Sequence, residues 1–361
     1  MPALEALLEE LSNAHGPSGF EGPVRTVVRR ELEPLADAIE TDGLGSLMAR
    51  LGPEERRPRV MLTAHMDELG LMVRRITPEG YLKFQPLGGW LDQALINQRW
   101  VILTHAGPVP GITGIKTVHV MEAAARAKLF ERGEMFIDIG ARDRADAEQR
   151  LAIRPGDPIV PDSRFAALAG GEVYLGKAWD DRVGLAVMIE VMRALRGDPS
   201  AVATTFAVAT VQEEVGLRGA ETSARHIAPD VGINLESGVA GDYPGITADE
   251  AQERLGGGPT LFLHDSSMLP NLRLRDFVME VAASLDIAVQ FNVLTGYGED
   301  GAAMQRSGSG VPAINIAVPT RYLHSHNGLI ARADVEATIR LVTAVVRRLD
   351  GGAVATLRDF G

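Results

Sequence analysis

The sequence predicts an α/β protein whose main domain is discontinuous, with a small β-rich domain inserted into it. Three observations carry this prediction. Residues 59–64, Arg-Val-Met-Leu-Thr-Ala, form a short apolar run that reads as a buried strand in need of sheet neighbours. From about residue 68 to 164, short β-like runs alternate with Gly/Pro turns and offer no parallel sheet. After Pro161 apolar strands alternate with helical patterns, the signature of a parallel sheet covered by helices. Residues 1–67 and 165–361 are therefore expected to form one domain, interrupted by residues 68–164.

The elements follow in order. Leu4, Leu7, Leu8 and Leu11 recur at helical spacing, and after the turn Gly16-Pro17-Ser18-Gly19 a second helix spans about Gly22–Leu35 with Val24, Val27, Val28 and Leu32 on one face. In the middle, Leu69–Ile76, Tyr81–Gln85, Trp100–Thr104 and Met135–Ile139 read as strands, separated by turns such as Gly88-Gly89 and Gly107-Pro108. The later part gives a helix Asp181–Leu195, strands Thr204–Val211 and Val231–Leu235, and a helix Asp276–Leu285. A strand Ala288–Leu294, a strand Pro312–Val318 and a helix Ala333–Leu349 complete it.

Composition narrows the function. The chain has 361 residues, 45% hydrophobic and 23% charged, which is ordinary globular composition with length for two or three domains. A net charge of −12 argues against a nucleic-acid surface. No apolar run approaches the ~20 residues that span a membrane. The first residues, MPALEALLEELSNAH, read as an acidic amphipathic helix and not as a signal peptide, so a cytoplasmic location is expected. The absence of cysteine excludes disulfides, thiolate nucleophiles and Cys-ligated zinc, leaving His, Asp and Glu to hold any metal.

Four apolar runs each lead to a metal-type ligand: His65, Glu213-Glu214, Glu236 and, beyond Val318, His324. In an open α/β sheet, ligands bind outside the carboxyl ends of the strands, so neighbouring parallel strands would bring these side chains together. Asp180, at a helix start, can join them and gain from the helix dipole. Asp67 shares a strand face with His65 and can accept from the ring nitrogen that does not face a metal. Two adjacent acids after a buried strand are costly unless paired or metal-bound. Taken singly, each residue also fits a satisfied histidine, a helix cap or a surface acid, and spacing alone does not choose between His324 and His326. Their joint occurrence at strand ends is the signal.

The chain resembles the metallo-aminopeptidase family that includes glutamyl aminopeptidases and tetrahedral (TET) aminopeptidases, some of which carry the labels cellulase M or endoglucanase. The resemblance covers essentially the whole chain and is carried by Ala64–Gly70, Gly88-Gly89-Trp90, Gly111–His119, Phe136–Gly140, Ala178–Arg182, Val211–Gly216, Gly241–Gly245 and Arg321–Ser325. It implies a mixed-sheet α/β/α domain with an inserted barrel-like domain that mediates dimer contacts, and dimers that build a tetrahedral homododecamer. It implies two divalent ions per subunit (zinc, cobalt or manganese), with Asp180 bridging. One ion would take Asp180, Glu214 and His324, and the other Asp180, His65 and Glu236. Glu213 would be the general base and Asp67 the partner of His65. Two positions depart from the family pattern: Gly298-Glu299-Asp300-Gly301 replaces Gly-Thr-Asp-Ala, and Trp179 replaces a smaller residue.

The expected activity is removal of N-terminal residues from short peptides, with a lean toward neutral aliphatic ones because lysine is scarce. A catalytically inactive peptide-binding or scaffold relative is the alternative, disfavoured by the intact Glu213. A glycoside hydrolase is a more distant one, since it would not need metal histidines and would want aromatic platforms, whereas aromatics are only 5%.

Overall fold

The computed structural model describes residues 2–124, 126 and 128–359. Two bodies of β-structure organise it. An 11-stranded mixed sheet runs in the order β1-β2-β12-β3-β13-β16-β17-β11-β10, with β14 and β15 (Gln290–Val293) attached through β16. Its centre consists of β12 (Thr204–Thr210), β3 (Arg59–His65), β13 (Val231–Val239) and β16 (Ala313–Arg321), four adjacent parallel strands. They are almost wholly buried because helices cover both faces, as parallel sheets require. On one face α4 (Trp179–Leu195) lies on β3, β12 and β13, with α1 (Pro2–Asn13), α2 (Gly22–Leu32) and α8 (Arg332–Arg348) packed around it in the principal core. On the other face α5 (Arg218–Ile227) and α7 (Asp300–Gln305) close a smaller core of Met48, Met61, Phe206, Val208, Ile227 and Met304.

The second body is a closed barrel in the order β4-β5-β8-β7-β6-β9, formed by Gly70–Ile76, Leu82–Leu87, Phe136–Asp138, Gly107–Gly114, Arg99–Thr104 and Pro158–Pro161. It has its own core, with Trp100, Ile102, Leu71 and Ile137 at the centre. The large sheet takes strands from both sides of it in the chain, so the expected mixed-sheet α/β architecture with a barrel is what the chain adopts. Among the described residues no helix is long and apolar enough to cross a membrane.

Several elements were not anticipated. The hairpin β1 (Ala38–Thr41) and β2 (Leu47–Leu51), the helix α5, and the strands β10 (Ala166–Leu168), β11 (Val173–Gly176), β14 (Thr260–His264) and β17 (Gly328–Ala331) carry weak patterns. In the barrel, β7 hides behind Pro108 and Pro110, which read as a turn. These prolines sit where β7 pairs with β6 alone, since β8 joins only at Ile112–Gly114, an edge-like stretch of the kind that tolerates proline.

Candidate metal centre

The parallel register brings the site residues level. Thr210 stands opposite His65, and Asn234 opposite Thr63, which sets Glu236 beside His65 two residues on. Glu236 lies within β13 and not beyond its end, because that strand continues alongside β16 to Val239. Asp180 precedes the first regular turn of α4: the backbone at Asp180 and Asp181 is not helical. Residues 322–327 leave the extended conformation, with Tyr322 and His324 at positive φ, so alternation does not govern the two histidines. His324 turns into the site, whereas His326 is buried edge-on against Trp100 and beside Trp90.

Asp180 is the hub. Its Oδ1 lies 2.8 Å from His65 Nε2 and its Oδ2 3.2 Å from His324 Nε2. Glu236 Oε1 is 3.8 Å from His65 Nε2, and Glu214 Oε2 is 3.8 Å from His324 Nε2. Two groups of ligand atoms result, His65–Asp180–Glu236 and Asp180–Glu214–His324, each with its atoms within 4.8 Å of one another. Glu213 belongs to neither group and stands with Oε2 3.9 Å from His65 Nε2. Both imidazoles are oriented from behind: His65 Nδ1 donates to the Asp67 carbonyl (2.9 Å) and His324 Nδ1 to the Gly89 carbonyl (2.8 Å). That turns each Nε2 toward the cluster, where it would serve as the ligand atom once a metal displaces its proton.

Asp67 differs in detail from expectation. Its carbonyl, not its carboxylate, takes the His65 hydrogen bond; the carboxylate Oδ1 is 3.6 Å away. The carboxylate instead accepts from the backbone N–H of Glu213 (2.9 Å) and Glu214 (3.2 Å) and from Ser18 Oγ (2.6 Å). Asp67 thus ties the β3 end to the loop that carries both glutamates.

The electrostatics match an acid cluster that lacks cations. Burial, and then the Asp180 charge, push Glu214 up to about 8. Burial holds Glu213 and Glu236 well above the carboxylate range; the His65 charge opposes this, while neighbouring acids add to it. Burial would also raise Asp180, but its hydrogen bonds with His324 and His65 outweigh it and hold that group below the usual range. Burial would lower His324, yet Glu214 and Asp180 bring it up to about 9. Glu214 Oε1 and Glu236 Oε2 are buried with no hydrogen-bond partner. Divalent ions such as zinc, cobalt or manganese are what orphaned carboxylate oxygens beside imidazole nitrogens suit, so the donor set fits the metals that the family resemblance implied.

Sequence reasoning missed three neighbours. Asp181 is fully buried and accepts from the N–H of His65 (3.1 Å) and Gly184 (3.0 Å). Glu299, noted only as a loop departure, is buried against Glu236. Next to it Gly301 is needed, because a Cβ there would lie 2.0 Å from Asn315 Oδ1. Glu68, Lys177 and Arg182 form a buried ion cluster directly behind the site. A local signal existed for the last, since Glu68 follows Asp67 while Lys177 and Arg182 flank Asp180.

A narrow recess opens beside Asp180 and His324, lined by Leu69, Trp90, Trp179, Tyr322 and Leu323. Trp179 is nearly fully buried there and donates from Nε1 to the Gly328 carbonyl (3.1 Å). Among the described residues no lysine or arginine lines the recess.

A buried pair of imidazole–carboxylate groups sharing one aspartate, at the carboxyl ends of parallel strands, defines a metal-dependent hydrolase site. A model of the M42 glutamyl aminopeptidase family matches residues 45–341. The structure is similar to that of a TET aminopeptidase from the marine sediment archaeon Thaumarchaeota archaeon SCGC AB-539-E09, with a TM-score of 0.95, 41% identity and 99% of each chain covered. It is similar too to the TET1 peptidase of Pyrococcus horikoshii, which can assemble into a tetrahedron or a large octahedral shell; there the TM-score is 0.85 and the identity 29%, over 96% of this chain and 100% of that one. The sequence is 34% identical to the lysyl aminopeptidase of Pyrococcus furiosus over 353 residues, 95% of this chain and 96% of that one. The chain belongs to the M42 family and is a metal-dependent aminopeptidase.

Proposed function

We propose that the enzyme uses two divalent ions, bridged by Asp180, to remove neutral aliphatic N-terminal residues from short peptides, with Glu213 as general base. The observation that carries this reading is the shared aspartate, with one carboxylate oxygen directed at each histidine and orphaned carboxylate atoms in both groups. His65, Asp180 and Glu236 would hold one ion, and Asp180, Glu214 and His324 the other. When bound, zinc, cobalt or manganese supplies Lewis acidity to the scissile carbonyl and acidifies the attacking water. Glu213 takes the proton of that water and passes it to the departing amine nitrogen. Its backbone N–H is held by Asp67, so the base is fixed in place before substrate arrives. Asp67 is therefore a positioning residue for the base as well as for His65.

The substrate preference rests on the recess beside Asp180. Apolar and aromatic walls with no basic side chain favour a Leu or Met side chain over Glu, and offer Lys no carboxylate that is not already engaged. For assembly, we infer dimers built through the barrel domain, residues 68–164, and a homododecamer of tetrahedral form. The barrel exposes Leu91, Ile112, Val118, Val120 and Leu129, more apolar surface than a lone barrel needs. The tetrahedral assembly of the P. horikoshii peptidase supports the same form here. A cysteine-free, acidic chain is consistent with a cytoplasmic enzyme.

The test is a rate profile over aminoacyl-p-nitroanilides after chelation and reloading with zinc, cobalt or manganese. Leu and Met derivatives are expected to exceed Glu and Lys derivatives by about tenfold or more in kcat/KM. Activity that survives complete metal removal would refute the mechanism. A preference for Glu or Lys would refute the assignment of the recess.

A further inference from the structure

We propose that the Trp179 indole sets the depth of the recess beside Asp180 and thereby excludes aromatic N-terminal residues, an assignment that rests on the aminopeptidase reading above. Trp179 directly precedes Asp180 and lines the recess, yet it is only 2% exposed. Its indole is anchored. Nε1 donates to the Gly328 carbonyl (3.1 Å), and Gly328 is the cross-strand partner of Gly176 where β17 meets β11. A Cβ on Gly328 would lie 3.0 Å from the indole Cδ1, and one on Gly176 would lie 2.9 Å from its Cζ2. The ring therefore rests against bare backbone that two paired glycines leave free. Phe165 packs against it edge-on, with ring centroids 6.2 Å apart. Gly328 lines the recess, whereas Gly176 and Phe165 do not, so the indole stands between the recess and the space those two border.

A wall of this kind selects by what it refuses. The side chain of a bound N-terminal residue starts next to the scissile carbonyl, beside Asp180, and extends until it meets the indole. An indole held by a hydrogen bond, a glycine pair and a second ring has no room to retreat, and a packed interior does not absorb extra volume cheaply. Leu and Met reach the ring and pack on it, while Phe and Trp overrun it.

The rival reading is that the indole only packs the core and positions Asp180. The two are separated by a ratio: kcat/KM for Phe-p-nitroanilide over that for Leu-p-nitroanilide, which does not depend on how much of the enzyme is active. In the metal-loaded wild type, Leu is expected to exceed Phe by about tenfold or more. Trp179→Leu joins the space behind the indole to the recess, and should raise the Phe-to-Leu ratio about ten- to a hundredfold. Trp179→Phe should raise it by a smaller factor, and carries the test should the leucine variant fail to fold. The wild type alone supplies a second measurement, a series of Ala, Leu, Met, Phe and Trp anilides, with rates expected to peak at Leu or Met and fall about tenfold or more at Phe and Trp.

A ratio that stays at the wild-type value in the variants, with both anilides slowed equally, overturns the proposal and leaves Trp179 a packing residue. So does a wild-type enzyme that takes Phe as readily as Leu. Failure of the underlying reading looks different: the metal-loaded wild type would hydrolyse no aminoacyl anilide at all.

Discussion

Two buried charge clusters lie back to back in this molecule, and they are built on opposite terms. In the rear cluster Glu68 accepts from Lys177 Nζ (2.6 Å) and from the N–H of Gly16 (2.9 Å), and lies 3.5 Å from Arg182 Nη2. Arg182 is also bound by the carbonyls of Leu11 (2.7 Å) and Ala14 (3.0 Å). Burial alone would raise Glu68, but Lys177 and Arg182 outweigh it and hold the carboxyl below its ordinary value. In the front cluster Glu213, Glu214, Glu236 and Glu299 are all raised, chiefly by burial, and the positive charge that opposes them comes from His65 and His324. The rear cluster has its cations in the sequence, whereas the front one has to obtain them from solution. The first is therefore part of the fold, and the second is a place held ready for ligands.

The sharpest way to break this contrast is at the base. Glu213→Gln should lower kcat by a factor on the order of 10²–10⁴ while both ions stay bound, measured by steady-state rates alongside elemental analysis. Near-native turnover would remove Glu213 from the chemistry.

Next in size are effects on stability, and they should have opposite signs in the two clusters. Lys177→Met strands Glu68 without its closest cation and should destabilise the protein by about 3–5 kcal/mol in denaturant unfolding. Glu214→Gln, in the metal-free protein, removes an uncompensated buried acid and should stabilise by about 1–2 kcal/mol. Destabilisation by both would mean that the front acids are satisfied without metal.

A pH series sharpens the comparison further. Glu214 is raised from 4.5 to about 8 in the folded chain, so between those values the native state holds a proton that the unfolded state has lost. Stability of the metal-free protein then falls as pH rises through this window. His324 acts in the same direction: raised from 6.5 to about 9, it contributes stability below pH 6.5 that is lost as pH rises toward 9. The metal-free Tm is expected to drop from pH 5 to pH 8.5, and saturating manganese should restore more at the upper end, since ligands must lose protons to bind. A metal-free Tm that rises over this range would contradict the account.

Much of the site was legible in the sequence because parallel strands deliver their carboxyl ends to one place. His65, Glu213-Glu214 and Glu236 follow or end buried apolar runs, so topology alone brings them together. The choice between His324 and His326 was not legible from spacing, because positive φ at Tyr322 and His324 breaks the alternation that spacing assumes. Glu299 was hidden for a different reason. It enters from a loop before a helix of only six residues, with no strand to announce where it points. Of the fold, long buried strands and amphipathic helices were readable to within a few residues; α6 (Leu272–Ser284), for example, begins four residues before its apolar pattern suggests, behind the Asn271 cap. Short strands such as β11 and β17 were not, since they pair with each other across more than a hundred and fifty residues of chain.

The central claim is that one aspartate joins two cation sites, and metal counting on three proteins tests it directly. The wild-type chain reloaded with zinc or manganese should carry two ions per subunit, His65→Ala one, and Asp180→Asn fewer than one. A wild-type chain that binds a single ion, or an Asp180→Asn variant that keeps two, would contradict it.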